Sequence, residues 1–405
     1  MLKLVNKTII VGACTLLVST AFARPTFLSV STDGKYAVSS NDDSSVSLYN
    51  LDKKSITKVN DKLANPFSAN FIDGTHNFIY QNKDDNIVHI VDADNLKTVK
   101  EFDAKINATT EAINKDMTIY VATTNDGNIS IFKIDGDKIG KDKYIYGNNY
   151  SNMYGQIIPT FTQNQNKIVA TTSTGKLWIF DLGEIFKLEK DNPKNQISIK
   201  KNTGATMNAI DPNGQFVYTA DSGLSGIKYN LNDGAKSNSA LYYPDDNLEN
   251  ISYVQETKDR KKYFYNGLTN FKFIDKDKII VTFNGKNQPY LWAFTFDTNK
   301  LDWSNNTKWK RPVFFSKNYL PLTKDPLKFV TGNYRDNTDP FPIVGGYNTT
   351  FDTSVEAHKL VMAQANGNGI MVYNYNPKDE SLKLDWVGEP AKAEEKKEES
   401  KGWFW

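Results

Sequence analysis

The sequence predicts an all-β chain built from one short antiparallel meander used repeatedly, and three observations predict it. Turn dipeptides of the Asn-Gly and Asp-Gly kind recur at Asp33-Gly34, Asp73-Gly74, Asp126-Gly127, Asn213-Gly214, Asn284-Gly285 and Asn366-Gly367. Around them apolar residues fall on alternate positions, as in Val46 with Leu48 and Ile129 with Ile131. An aromatic or apolar residue followed by a mostly polar one returns at Tyr49-Asn50, Val91-Asp92, Phe132-Lys133, Phe180-Asp181, Tyr229-Asn230, Phe294-Thr295 and Tyr373-Asn374, at intervals of 42, 41, 48, 49, 65 and 79 residues. The dipeptides supply the positive φ that tight hairpins require, and period-two alternation gives each strand one buried face.

Each copy reads as strand, tight turn, strand, polar turn, strand, over 27–51, 67–92, 112–133, 159–181, 207–230, 271–295 and 355–374. A fourth strand is available after each copy, for example at 55–59 and 382–387. The first four intervals lie at or just above the ~40–45 residues of a four-stranded blade. The expected fold is therefore a single β-propeller of four-stranded antiparallel blades over residues 24–388, with seven blades. Eight is the alternative, in which the 79-residue interval holds another blade with strands at 313–316, 327–331 and 343–347. Pro321, Pro326, Pro340 and Pro342 argue against interior strands there, because proline removes a ladder donor. The one helix expected is short, at 182–188.

On the motif Ser31-Thr32-Asp33-Gly34-Lys35-Tyr36, echoed by Asp211-Pro212-Asn213-Gly214-Gln215-Phe216, the chain resembles the WD40-like and YVTN-type β-propeller repeat proteins over 27–387. Phe180-Asp181 stands where a WD repeat carries its Trp-Asp pair, although no Gly-His dipeptide opens a copy and no Trp precedes an Asp. The resemblance implies a propeller that presents loops on two faces.

The ends of the chain read differently. Lys3 and Lys7, the 15-residue run 8–22 and Ala21-Phe22-Ala23 make the basic, apolar and small-x-small parts of a signal peptide, residues 1–23, cleaved after Ala23. An uncleaved anchor needs about 20 apolar residues. A lipoprotein signal at Cys14 has too little apolar sequence before the cysteine and too much after it. Cys14 is the only cysteine, so cleavage leaves no thiol nucleophile, disulfide or cysteine-based zinc site. A disulfide-free exported chain suits a bacterial periplasm or secretion. Residues 389–405 form a charged flexible tail that ends in Trp403, Phe404 and Trp405. Three large apolar side chains at such an end call for a docking place: the propeller itself, a partner protein, or peripheral contact with the membrane interface, where Trp is favoured.

The chemistry within the propeller is sparse. Lys plus Arg number 49 against 47 Asp plus Glu, a formal charge of +2 with no footprint for nucleic acid. His76, His89 and His358 lie apart, with no second histidine at metal spacing. No Gly-x-Ser-x-Gly elbow is present. The acidic clusters Asp42-Asp43, Asp84-Asp85, Asp245-Asp246 and Asp336 with Asp339 are of the kind that caps turns, and no EF-hand spacing or Asp-box accompanies them. Tyr36, Tyr49, Phe78, Phe132, Phe180, Phe216, Tyr229 and Phe294 fall on alternate strand positions and are expected between blades. No catalytic, metal or cofactor residue is assigned. The expected function is an exported, non-enzymatic scaffold for protein partners in the bacterial cell envelope, with 232–266, 308–350 and the aromatic tail as its binding surface. The alternative is a propeller enzyme of the lactonase or glycan hydrolase type, with carboxylates gathered at the mouth of the central channel. A quinone-dependent dehydrogenase is disfavoured, since no Trp-docking repeat is present.

Overall fold

The computed structural model describes residues 25–64, 69–83, 85–124, 128–140, 143–145, 159–171, 176–187, 199–202, 207–220, 225–240, 268–284, 291–299, 320–321, 350–363, 369–378 and 381–389. Among these residues lie seven antiparallel sheets, six of four strands and one of five. The order within the four-stranded sheets is the order in the chain, so hairpins suffice to build them. The first runs Pro25–Val30, Tyr36–Asn41, Val46–Asn50 and Ser55–Asn60. The third has five strands because two short pieces, Lys138–Ile139 and Lys143–Ile145, pair along different parts of Ile129–Asp135. The helix is Leu182–Lys187, which buries Leu182 and Ile185 beside the fourth sheet.

Packing between sheets sets the architecture. Each sheet shares an apolar layer with the next: Val38, Val46 and Leu48 with Phe71 and Phe78; Ile79 and Ile90 with Ile113 and Tyr120; Val121 and Ile131 with Ile168 and Phe180. The series continues through Ile179 with Val217 and Tyr229, Tyr218 edge-on to Phe273 at 5.3 Å, and Ile280 with Leu360 and Tyr373. It then closes, because Val361 and Val372 of the last sheet pack on Leu28 and Tyr49 of the first. First strands meet first strands around the ring, as Pro25–Val30 does with Asn70–Phe71 and Phe351–Ser354. The fourth strands Ser55–Asn60 and Thr98–Asp103 face outward and are largely exposed. The first strands therefore surround the axis of a propeller made of small antiparallel sheets.

The turn after each first strand has a recurring build. The N–H groups of Ser31, Asn114, Thr162 and Asp211 each bond the carbonyl five residues on. Their own side-chain oxygens take one or two N–H groups near that end of the turn, from Tyr36, from Thr118 and Ile119, from Lys167, and from Gln215 and Phe216. The fourth turn residue is left-handed in all four, and it is Gly34 or Gly214 in two but Met117 or Gln165 in the others. Non-glycine residues hold that conformation at a cost of roughly 1–2 kcal/mol, which the bonded turn around them offsets.

Two expectations need correction. The last copy begins not at 355 but with the strand Phe351–Ser354, and His358, expected to start a strand, ends the turn with φ 50° before Lys359–Ala363. Val355-Glu356-Ala357-His358 carries no glycine or asparagine, unlike the turns marked by Gly34, Gly74, Asn114, Asn164 and Gly214. Phe216 is only partly buried, edge-on to Tyr218 and 4.6 Å beneath the Lys228 ammonium. The aromatic residues Tyr36, Tyr49, Phe78, Phe132, Phe180 and Tyr229 are buried between sheets as expected. The side chain of Phe294 lies outside the described residues, as do the signal segment 1–23, the strands that an eighth blade would need and the tail 390–405.

Candidate functional site

The polar residues of the first strands do two things. One is to join neighbouring blades beside the axis. The Phe71 N–H donates to Ser29 Oγ at 3.0 Å, the Val30 N–H to Asp352 Oδ2 at 2.9 Å, and Asn70 Nδ2 to the Glu111 carbonyl at 3.3 Å. Ser29, Asn70 and Asp352 stand two residues before Ser31, Ile72 and Ser354, so in these three copies the fold places a polar side chain at the same level.

The other is to create a charged mouth at one end of the axis. Lys272, from the first strand of the sixth blade, pairs with Asp352 Oδ1 at 3.3 Å. Asp73 lies in the turn after the first strand of the second blade, exposed to solvent. Its carboxyl is nevertheless pushed up, first by desolvation among the inner strands and then by the Asp352 charge, with Lys272 opposing. Groups from the second, sixth and seventh blades thus sense one another across the ring. Chemically, this mouth offers one carboxylate committed to a backbone donor and a lysine, and a second without that commitment.

A second constellation sits on the same rim between the first two blades. His76 Nε2 lies 2.8 Å from Asp33 Oδ2 and Nδ1 lies 2.8 Å from Asp94 Oδ2. Tyr36 donates its hydroxyl to Asp94 Oδ1 at 2.8 Å and sets its ring edge-on to the imidazole, 5.3 Å between centres. Lys35 Nζ is 3.1 Å from Asp33 Oδ2. A neutral imidazole has one donor, so two carboxylate acceptors select the imidazolium. The His76 pKa is accordingly raised, first by Asp94, with burial opposing and Asp33 adding. Burial alone would raise the Asp33 carboxyl; bonds from His76, the Lys35 N–H and Ser31 outweigh it and hold the group well below the usual carboxylate range.

The remaining residues singled out in the sequence take structural places. His89 stacks on Tyr80 at 5.0 Å and bonds Asn82 and Glu101, each at 2.8 Å. His358 Nδ1 meets the Ile274 carbonyl at 3.2 Å. Asp43 and Asp85 accept the N–H two residues on, from Ser45 at 2.9 Å and Ile87 at 3.0 Å, which is the turn-capping role. Asp84, Asp245, Asp246, Asp336 and Asp339 lie outside the described residues, as do the partner-binding candidates Trp403, Phe404 and Trp405. Sequence reasoning missed Glu111, which is buried in the first strand of the third blade and bonded to the Tyr120 hydroxyl at 2.9 Å. Aligning the copies on their turns would have found it, since Leu28 and Ala69 hold the same place.

No family model matches the chain, and no curated protein matches it. Among solved structures it is similar to Hsv2 of Kluyveromyces lactis, at 13% identity over 90% of this chain and 98% of that one, with a TM-score of 0.50. Hsv2 of Kluyveromyces marxianus gives 12% identity over the same shares, also at 0.50. At such identity the likeness is one of fold. With meandering sheets that follow one another around an axis and close last on first, the chain has a β-propeller fold, the fold it shares with those structures.

Proposed function

We propose that this propeller is an exported, non-enzymatic scaffold that gathers protein partners in a bacterial cell envelope, as one ring of seven blades. The observation that carries the reading is where the chain departs from the blade repeat. The longest stretches between described strands are 241–267, ahead of Leu268–Asp275, and 298–350, which holds only Leu320–Pro321; of the expected surface 232–266, the part Lys236–Ala240 is instead a strand of the fifth blade. The described polar clusters are spent largely on joints between blades. Loops on a rigid scaffold are the usual place for recognition, so the sixth-blade side and the tail with Trp403, Phe404 and Trp405 form the partner surface. Export rests on the segment 1–23 and its Ala21-Phe22-Ala23 end. The test is co-purification from envelope extract with the full chain, a chain without 402–405 and one with 241–267 replaced by a short Gly-Ser linker. Loss of the same partner from either variant is expected; an unchanged partner set from both sinks the assignment.

The enzyme reading rests on the carboxylates placed at this mouth, Asp352 paired with Lys272 at 3.3 Å and Asp73 in the turn of the second blade. Turnover of lactones or glycosides abolished by Asp73→Asn would establish it, and no turnover by the intact protein would remove it.

A further inference from the structure

The second blade is held on both flanks by groups whose bonding depends on a proton. Towards the first blade the group is His76. It faces Asp33 in the turn of the first blade, Asp94 in its own blade and the Tyr36 hydroxyl, with Lys35 beyond Asp33. Loss of its proton leaves one nitrogen as an acceptor pointed at a carboxylate, which turns a charge-assisted bond into a repulsion. Towards the third blade the group is Glu111. Its partner on the opposite strand, Ala122, belongs to the layer of Ile72, Ile79 and Phe102 that joins the two blades. Glu111 Oε2 accepts from Tyr120, Oε1 has no partner, and no other charged group approaches it among the described residues. A carboxylate there would be a buried charge with a single bond.

We propose that the second blade is a pH-sensitive segment of the ring, locked between its neighbours while His76 and Glu111 are protonated and loosened as pH rises. Both groups bind their proton more tightly in the folded ring. His76 titrates above its ordinary 6.5. Burial, opposed by the Tyr120 hydroxyl, pushes Glu111 from 4.5 up to about 8. The sign follows for each: with a folded pKa above the unfolded one, its contribution is full below the unfolded value and is lost as pH rises through the folded one. Asp33 and Asp94 act in the opposite sense, because their lowered values remove the first joint only in acid. The lock is therefore strongest between the titration of these aspartates and the loss of the first proton from either His76 or Glu111.

Hydrogen–deuterium exchange on the full chain tests this. Protection of peptides from 69–103 is compared at each pH from 6 to 9 with that of peptides from 159–187, which cancels the intrinsic effect of pH on exchange. An opening that releases one proton becomes about tenfold more favourable per pH unit, so the ratio should fall by that order across part of the range. Glu111→Gln, which cannot ionise, should flatten the fall, and Glu111→Gln with His76→Gln should abolish it. A constant ratio in the native protein, or an equal fall in the double variant, overturns the proposal. Should His76→Gln fail to fold, NMR titration of the native His76 ring decides for that joint: a midpoint above 6.5 supports it, and one at or below 6.5 overturns it.

Discussion

Asp352 Oδ2 accepts the backbone N–H of Val30 at 2.9 Å and so joins the last blade to the first across 322 residues of chain. The first and last sheets are each built from one continuous stretch of chain, with no strand exchanged between them. The ring therefore closes on side-chain bonds and apolar packing. Ser354 Oγ donates to the Thr32 carbonyl at 2.6 Å, Lys359 Nζ to the Gly34 carbonyl at 2.9 Å, and Tyr49 meets Trp386 edge-on at 6.4 Å.

Removing the acceptor should open this seam. Asp352→Ala leaves the buried Val30 N–H and the Lys272 ammonium without their partner and is expected to cost about 1–3 kcal/mol. Asp352→Asn keeps an acceptor oxygen and should recover part of the loss. Urea unfolding monitored by tryptophan fluorescence, with midpoints compared at constant slope, measures both.

The seam core should outweigh its surface. Leu28→Ala removes a side chain buried against Val361 and Val372 and is expected to cost about 2–5 kcal/mol. Lys54→Ala removes an exposed ion pair with Asp385 at 3.0 Å and should cost below about 1 kcal/mol. The same unfolding experiment ranks them, and equal costs would contradict closure by packing.

Two glycines with the same backbone should respond differently. Gly34 and Gly214 both have φ +68°, but a Cβ on Gly34 would lie 2.5 Å from the Ala357 Cβ of the seventh blade, whereas one on Gly214 meets nothing nearer than 3.4 Å. Each alanine substitution carries roughly 1–2 kcal/mol of backbone strain, and Gly34→Ala adds overpacking of about 1–3 kcal/mol. Calorimetric melting should place Gly34→Ala clearly below Gly214→Ala.

Glu111 and Tyr120 should behave as a unit. Tyr120→Phe leaves a buried carboxyl without its donor and is expected to cost about 1–3 kcal/mol. Glu111→Met with Tyr120→Phe removes both polar groups and should be close to neutral or stabilising. A double-mutant cycle from chemical denaturation reads the coupling, and additive losses would show that the two groups act independently.

At the acid end, the low carboxyl of Asp33 gives a signed expectation. Because its folded pKa is depressed, its contribution is present above the ordinary 3.8 and is lost as pH falls through the folded value. Asp33→Asn should therefore show a shallower loss of melting temperature than the native protein as pH falls below that point. Parallel slopes would remove Asp33 from the acid response.

Blade type was legible because it is written locally. Asp33-Gly34 and Asn213-Gly214 need only their own backbone to announce a turn, and Val46 with Leu48 announces a buried face by its spacing. The fourth strands expected at 55–59 and 382–387 appear as Ser55–Asn60 and Ser381–Gly388, and the helix expected at 182–188 as Leu182–Lys187. The last turn was misplaced because His358 adopts its left-handed conformation under tertiary packing, with its ring against the Ile274 carbonyl, and no glycine marks it. The sites were harder to read. His76 looked solitary because its partners Asp33 and Asp94 lie 43 and 18 residues away.

By itself, then, the sequence determined the repeat, the strand faces and the turns, since these depend on the φ preferences and polarity of residues close together in the chain. Tertiary structure decided which residues became partners. Asp352 with Val30 and Lys272, His76 with Asp33, and Glu111 within the layer between two blades come together only when the chain folds, because desolvation and Coulomb interaction depend on distance in space, for which position in the chain is no guide.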